Sequence, residues 1–296
     1  MALNIQVFKT RALTALLFVA VMLLGLFWNF WSFLILFTII HFGCWIEYIK
    51  LVEKIYSIKI ESVIKWLFFV SGFVLMIVLG QNSIGGDMSM ELFGYRIGFK
   101  ILFWILLCCC LFVFLFQNKQ MPVKAKWMCL AGLIYISLSL AAIINLYSIG
   151  NLKIKNTFLE VKDGLLPILI IFSIWINDTM AYLVGSFIGK TPLSKISPKK
   201  TWEGTLGGII LSIVTITIII YNILHLQPTQ LIFLAIVPTL CGICGTFGDL
   251  FESKLKRMAN VKDSGSFMPG HGGFLDRFDS LLFAAPTVWI YVKIFL

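Results

Sequence analysis

Residues Leu165–Val184 read LLPILIIFSIWINDTMAYLV. A helix needs ~20 mostly apolar residues to cross the hydrocarbon core of a bilayer, and this run meets that length. It also carries Asn177 and Asp178. A carboxylate at membrane depth is expensive, so it faces a polar cavity or a partner. The run therefore raises two questions: whether the rest of the chain is built for a membrane, and what Asp178 faces.

The composition answers the first. Of 296 residues, 59% are hydrophobic and only 13% are charged, about half the charge of an ordinary soluble domain. The chain reads as an all-α integral membrane protein. Nine apolar segments stand out: Ala12–Phe27, Phe30–Ile46, Trp66–Leu79, Ile101–Phe116, Trp127–Tyr147, Leu165–Val184, Leu206–Leu224, Leu231–Phe247 and Leu281–Phe295. Little more than Trp28 and Asn29 separates the first two, which predicts a tight hairpin. The start resembles a signal peptide, but the apolar run resumes through Trp45 with no clear cleavage site, so a retained first helix is expected. Residues 1–160 would hold this hairpin and three further spans in a supporting role. Residues 161–296 would hold the remaining spans and every chemistry-bearing motif.

Lysine and arginine set the orientation. With the N-terminus in the cytoplasm and nine spans, eighteen of the 24 cationic residues fall on the inner side. The C-terminus is then outside and the polar motifs face the cytoplasm. The segment Glu47–Trp66, EYIKLVEKIYSIKIESVIKW, alternates charge with apolar residues. It reads either as an amphipathic helix on the inner membrane surface or as a solvated connector. The seven cysteines lie mostly inside apolar runs, and the pair Cys241 and Cys244 reads as packing rather than as a metal or redox site.

Three places break the apolar pattern. The first runs from Trp175 to Gly204, WINDTMAYLVGSFIGKTPLSKISPKKTWEG. Its GKT is not a phosphate loop, because the glycine spacing is one residue short and no strand precedes it. Gly185–Gly189 and Gly204–Gly208 read as small-residue helix-packing pairs. The second is GDLFESKLKR, Gly248–Arg257. If the eighth helix continues, Asp249, Glu252 and Ser253 project from one face, and Lys256 and Arg257 follow a turn later. The third is KDSGSFMPGHGGFLDRFDS, Lys262–Ser280. Asp276 and Asp279 lie three apart as the last span begins. A polar connection from Gly248 to Ser280 is long for a loop, and its glycines suggest a backbone shaped to approach a ligand.

Carboxylates gathered at two helix ends repel one another unless protonated or bridged by a cation. Oxygen ligands without convergent His or Cys favour a hard ion such as Mg²⁺ over zinc. Neighbouring lysines and arginines suit phosphate groups. The residues thus point to metal-dependent phosphoryl or nucleotidyl chemistry on the cytoplasmic face of a membrane.

The run SKLKRMANVKDSGSFMPGHGGFLDRFD, Ser253–Asp279, resembles the signature of the phosphatidate cytidylyltransferases, also called CDP-diacylglycerol synthases. The upstream NDTMAYLVGSFIGKTPLSKISPKKTWEG is similar to the family's second region, with Met180 where a glycine is common. The first 160 residues match only as a hydrophobic pattern. The resemblance implies transfer of CMP from CTP to phosphatidate, releasing pyrophosphate and giving CDP-diacylglycerol for phospholipid synthesis. It implies Mg²⁺, with K⁺ as a candidate second ion, in a cavity open to the cytoplasm. It also implies a place in the cell (inner) membrane of a bacterium, and admits a homodimer. No nucleic acid is expected as a partner.

Carried over by position, the metal ligands would be Asp249, Asp276 and Asp279, with Glu252 and Asp178 as further candidates. Lys199, Lys200, Lys256, Arg257 and Arg277 would hold triphosphate or lipid phosphate. Ser253, Lys262, Asp263, His271, Gly272 and Gly273 would line the substrate site. The nucleophile, a phosphate monoester with a second pKa of about 6, is largely ionised at neutral pH and needs no strong general base. Two other readings remain open: a related CTP-dependent lipid enzyme (a lipid-alcohol kinase or an archaeal-type lipid cytidylyltransferase), and an ion-coupled transporter. Transporters often carry inverted repeats with interrupted helices in both halves, whereas the polar motifs here lie only in the second half.

Overall fold

The computed structural model describes residues 5–80, 89–92, 95–98, 104, 107, 108, 112, 114, 121–154, 157–267 and 272–295. These residues form two compact units, Met1–Asn145 with Met258–Asp276, and Leu146–Arg257 with Arg277–Leu296.

The first unit opens with α1 (Ile5–Phe27) and α2 (Phe30–Tyr56). The expected hairpin is present, and its turn has a definite cause. Asn29 is the N-cap of α2: its side chain accepts from the Ser32 N–H at 2.9 Å, while Ser32 Oγ accepts from the Asn29 N–H at 3.1 Å. This reciprocal box satisfies two otherwise orphaned amides. Helix α2 continues to Tyr56, so Glu47–Tyr56 is the end of a long helix rather than a separate surface element. The apolar periodicity simply runs on through the charged residues. The helix stops at Ser57, whose left-handed backbone (φ 51°) turns its N–H back to the Glu53 and Lys54 carbonyls.

Helix α3 (Ser62–Leu79) follows, then the strands β1 (Ser89–Leu92) and β2 (Tyr95–Gly98), paired antiparallel. Helix α4 (Val123–Asn145) contains a π-helical turn at Leu133–Leu138. Ser137 within that turn accepts from Trp45 Nε1 at 2.9 Å and lies 3.0 Å from His41 Nε2. Apolar burial gives little net drive between helices in lipid, so close packing and buried hydrogen bonds carry the association. Two glycines make the approach possible. A Cβ on Gly72 would meet Trp45 Nε1 at 2.9 Å, and one on Gly132 would meet the Trp45 and Tyr48 rings at 2.8 Å.

The second unit begins with a hairpin of β3 (Asn151–Ile154) and β4 (Thr157–Glu160), in which Leu152 opposes Leu159 and both are buried. The fold is helical as expected, and the two hairpins are minor additions to it; strands of four residues leave too short an alternation to recognise. Four helices follow: α5 (Leu165–Ile188), α6 (Trp202–Leu224), α7 (Pro228–Met258) and α8 (Leu275–Lys293). The glycine pair of α6 packs on α5 as its spacing predicts: a Cβ on Gly204 would meet the Gly185 Cα at 2.9 Å, and one on Gly208 would meet the Ala181 Cβ at 2.7 Å. Helix α7 joins them through Gly242, beside Ile209 and Asn177.

Among the described residues, six helices are long and apolar enough to cross a membrane: α2 to α7. The apolar part of α1, Ala12–Phe27, is shorter. The expected span Ile101–Phe116 falls largely outside the described residues, and most of Leu281–Phe295 lies in α8. The molecule is a predominantly helical, multi-pass membrane protein. Because α7 runs to Met258 and α8 starts at Leu275, the connection expected from Gly248 to Ser280 shrinks to the segment between those two residues.

Candidate active site

In the second unit three acids come from three helices. Asp178 lies midway along α5, Asp249 on α7, and Asp279 in the second turn of α8. Helices α7 and α8 meet backbone to backbone. A Cβ on Gly248 would collide with the Asp279 carbonyl oxygen and come within 3.2 Å of the Ser280 Cα, and one on Gly245 would lie 3.3 Å from the Ser280 Cβ. Only a small residue permits such contact, and it sets Asp249 beside Asp279.

The Lys200 ammonium forms an ion pair with Asp249 Oδ2, and Ser253 Oγ lies 3.4 Å from Asp249 Oδ1. Lys200, Asp249 and Arg277 all lie within electrostatic reach of Asp178. Asp279 stands ahead of the apolar run of α8. Desolvation first, and then repulsion from Asp249, push its carboxyl above the usual carboxylate range, against the pull of the Ser280 N–H and Lys200.

Lys200 reaches this place because the α5–α6 connection is built rather than slack. Glu203, in the first turn of α6, accepts from the Lys190 N–H at 3.2 Å, from the Thr191 N–H at 3.1 Å and from Thr191 Oγ1 at 2.8 Å. Pro192 and Thr201 face each other across a narrow ladder, with Trp202 N–H donating to the Thr191 carbonyl at 3.0 Å and Leu193 N–H to the Lys200 carbonyl at 2.7 Å. Thr201 caps α6 by accepting from the Gly204 N–H at 3.2 Å. The adjacent lysines therefore separate: Lys200 is half-buried against Asp249, while Lys199 is exposed.

The signature loop belongs to the first unit. There Asp276 Oδ2 accepts from the Ser264 N–H (2.9 Å) and the Gly273 N–H (2.7 Å) and lies 2.9 Å from Ser264 Oγ. Gly272 has φ +83°, a left-handed conformation that glycine adopts without strain. Gly273 is buried, Lys262 and Asp263 are exposed, and His271 lies outside the described residues. On α7 the fully buried Glu252 forms an ion pair with Lys256 one turn on, while Arg257 is exposed. Arg277, on α8, is also exposed.

Sequence reasoning singled out Asp178, Lys200, Asp249, Arg277 and Asp279, and the fold brings these into one electrostatic neighbourhood. It missed Glu203 and Ser264, and it missed Glu47, whose carboxylate accepts from Ser264 Oγ, the Phe274 N–H and the Leu275 N–H. An acid opening a helix just after a lysine-rich loop was a signal available for Glu203. Nothing local signalled the other two.

Among the described residues no three of His, Cys, Asp and Glu stand close enough, as placed, to enclose a metal ion. The chemistry of the set nonetheless suits one. Its donors are all oxygen, and their mutual repulsion already draws in the Lys200 ammonium.

In the second unit the acids Asp178, Asp249 and Asp279 thus gather on apolar helices, with Lys200 paired to Asp249. The chain belongs to the cytidylyltransferase family, whose model matches residues 9–295. It is 45% identical over 123 residues to the phosphatidate cytidylyltransferase of Bacillus subtilis, covering 41% of this chain and 45% of that protein. It is 46% identical over 135 residues to the phosphatidate cytidylyltransferase of Synechocystis, 45% of each chain. Against the chloroplastic phosphatidate cytidylyltransferase 4 of Arabidopsis thaliana it is 46% identical over 132 residues, 44% of this chain and 33% of the relative. The matched stretches thus span a third to just under half of these relatives' length.

Proposed function

We propose that this chain transfers CMP from CTP to phosphatidate, giving CDP-diacylglycerol and pyrophosphate. The observation that carries the reading is the convergence of Asp178, Asp249 and Asp279 around Lys200 in a member of the cytidylyltransferase family. Asp249 and Asp279, with Asp178, would hold Mg²⁺, with K⁺ as a second ion; Asp276 and Glu252 are engaged by Ser264 and Gly273 and by Lys256. When bound, the metal would supply positive charge that offsets the repulsion between two anionic reactants. Lys200 and Arg277 supply fixed charge at the same place and would orient the triphosphate. Lys199 and Arg257, both exposed, would meet phosphate groups at the rim. The lipid phosphate would attack the α-phosphorus of CTP, and no residue need take a proton from it, since the monoester is ionised at neutral pH.

The topology that goes with this reading has nine spans, with the N-terminus in the cytoplasm and the C-terminus outside. The active site would then face the cytoplasm of a bacterial cell, where CTP arrives from solution and lipid from the bilayer. Its support is the bias of lysine and arginine toward one side.

Product analysis tests the reading. Purified protein given CTP and phosphatidate should form CDP-diacylglycerol and pyrophosphate in equal amounts. Release of CDP with phosphorylation of a lipid alcohol instead would identify a kinase and overturn it.

A further inference from the structure

Both backbone groups of Lys200 are engaged. Its N–H donates to the Ser197 carbonyl at 3.1 Å, and its carbonyl accepts from the Leu193 N–H at 2.7 Å. The next residue, Thr201, pairs with Pro192 across the ladder and caps α6. Thr201 is also wedged against the end of α5: a Cβ on Gly189 would meet Thr201 Oγ1 at 2.5 Å and Cγ2 at 2.9 Å. The leg that carries Lys200 is thus anchored on α6. It leans on the opposite leg, Lys190 to Leu193, which supplies the other half of the ladder.

That opposite leg is held by Glu203. Both carboxylate oxygens take part. Oε2 accepts from the Lys190 N–H at 3.2 Å and the Thr191 N–H at 3.1 Å, and Oε1 from Thr191 Oγ1 at 2.8 Å. Hydrogen bonds to an ionised carboxylate are stronger than those between neutral groups. Glu203 lies in the first turn of α6, where the helix start favours a negative charge. One side chain therefore ties the leg leaving α5 to the start of α6, with Lys200 on the return leg between them. The donors to Glu203 are loop amides and a hydroxyl, whereas Asp249 takes the Lys200 ammonium. All of these groups belong to the second unit.

Resting on the cytidylyl-transfer reading, we propose that Glu203 is a positioning residue of the reaction: through the ladder it holds Lys200 on Asp249 and keeps Lys199 turned away. It touches no reacting atom. A lysine is a point charge on a flexible stem, so the direction of its ammonium is set by where its backbone aims it. Neighbouring residues on a laddered leg point to opposite sides. A slip of one residue would therefore turn Lys199 toward Asp249 and Lys200 outward. Smaller movements matter as well, since a displacement of about 1 Å at a catalytic group can cost about 10²-fold in rate.

The test uses the full chain in detergent, with Glu203→Ala and Glu203→Gln beside wild type. Three readouts are taken: kcat/KM for CTP per folded molecule, hydrogen exchange at the Lys190 and Thr191 amides, and the effect of Glu203→Ala on kcat/KM in a Lys200→Met background. Glu203→Ala should lower kcat/KM about 10²-fold and speed exchange at both amides about tenfold or more. Glu203→Gln, which keeps one acceptor oxygen, should fall between wild type and Glu203→Ala. In the Lys200→Met background Glu203→Ala should cost less than about threefold more, because residues that act as a unit are not additive. Losses that multiply would overturn the proposal, since a purely structural anchor, or one serving another group, still costs activity without Lys200. Unchanged exchange would overturn it too, and so would faster exchange with wild-type kcat/KM. If Lys200→Met turns over too slowly to follow, single-turnover rates at high enzyme concentration replace kcat/KM. If Glu203→Ala does not yield folded protein, Thr191→Val removes one donor and the same readouts decide. A wild type without cytidylyl transfer would sink the functional reading, while exchange would still decide whether Glu203 holds the connection.

Discussion

Asp249→Ala should lower turnover by about 10³-fold and leave the protein folded. Asp249 is the hub of the acid cluster. It is paired with Lys200, approached by Ser253 Oγ, and repels both Asp279 and Asp178. Its removal takes away a candidate cation ligand and frees the Lys200 ammonium to leave the place where a triphosphate would bind. Stability should change much less. The two side chains keep 32% and 26% of their exposure, and an ion pair open to solvent contributes about 1 kcal/mol or less. The separation of the two effects is the diagnostic. Turnover and thermal unfolding measured on one monodisperse preparation should show a near-total loss of the first and a small shift in the second. A melting temperature that collapses with activity would instead make Asp249 a structural residue.

Gly248→Val should cost about 1–3 kcal/mol of stability and at least about 10²-fold in turnover. The first atoms that a new Cβ would meet are backbone: the Asp279 carbonyl group, with its carbon at 3.1 Å, and the Ser280 Cα at 3.2 Å. No rotamer change relieves such a contact, so α7 and α8 must separate. Separation moves Asp249 away from Asp279. Gly245→Ala provides a graded control, because its Cβ would meet the Ser280 side chain at 3.3 Å, a contact that small shifts can absorb. Turnover should fall in the order wild type, Gly245→Ala, Gly248→Ala, Gly248→Val. Equal activity across the series would show that the backbone contact does not set the acid geometry.

What was legible in the sequence follows from distance along the chain. Apolar runs of membrane length, the glycine pair of α6 and an acid inside a span are local patterns; six of the expected apolar runs, the glycine pair and the acid have their counterparts among the described residues. The face carrying Asp249 and Ser253 was readable because both lie on one helix. Glu47 was not. In EYIKLVEK it looks like one charge among several on a solvated face, and the groups that bury it lie 217 to 228 residues away. The different fates of Lys199 and Lys200 were equally hidden, because they depend on the ladder that Glu203 and Thr191 close. Asp276 and Asp279 look equivalent at a spacing of three, yet Asp276 accepts from the loop backbone while Asp279 lies within electrostatic reach of Asp249.

The most direct test of the account is the rate of CDP-diacylglycerol formation from CTP and phosphatidate, titrated with Mg²⁺, for wild type and Asp279→Ala. The account predicts turnover that rises with Mg²⁺, vanishes with chelator and is lost in the variant although the protein remains folded. Metal-independent turnover, full activity in Asp279→Ala, or no cytidylyl transfer by folded wild-type protein with any phosphatidate chain length would contradict it.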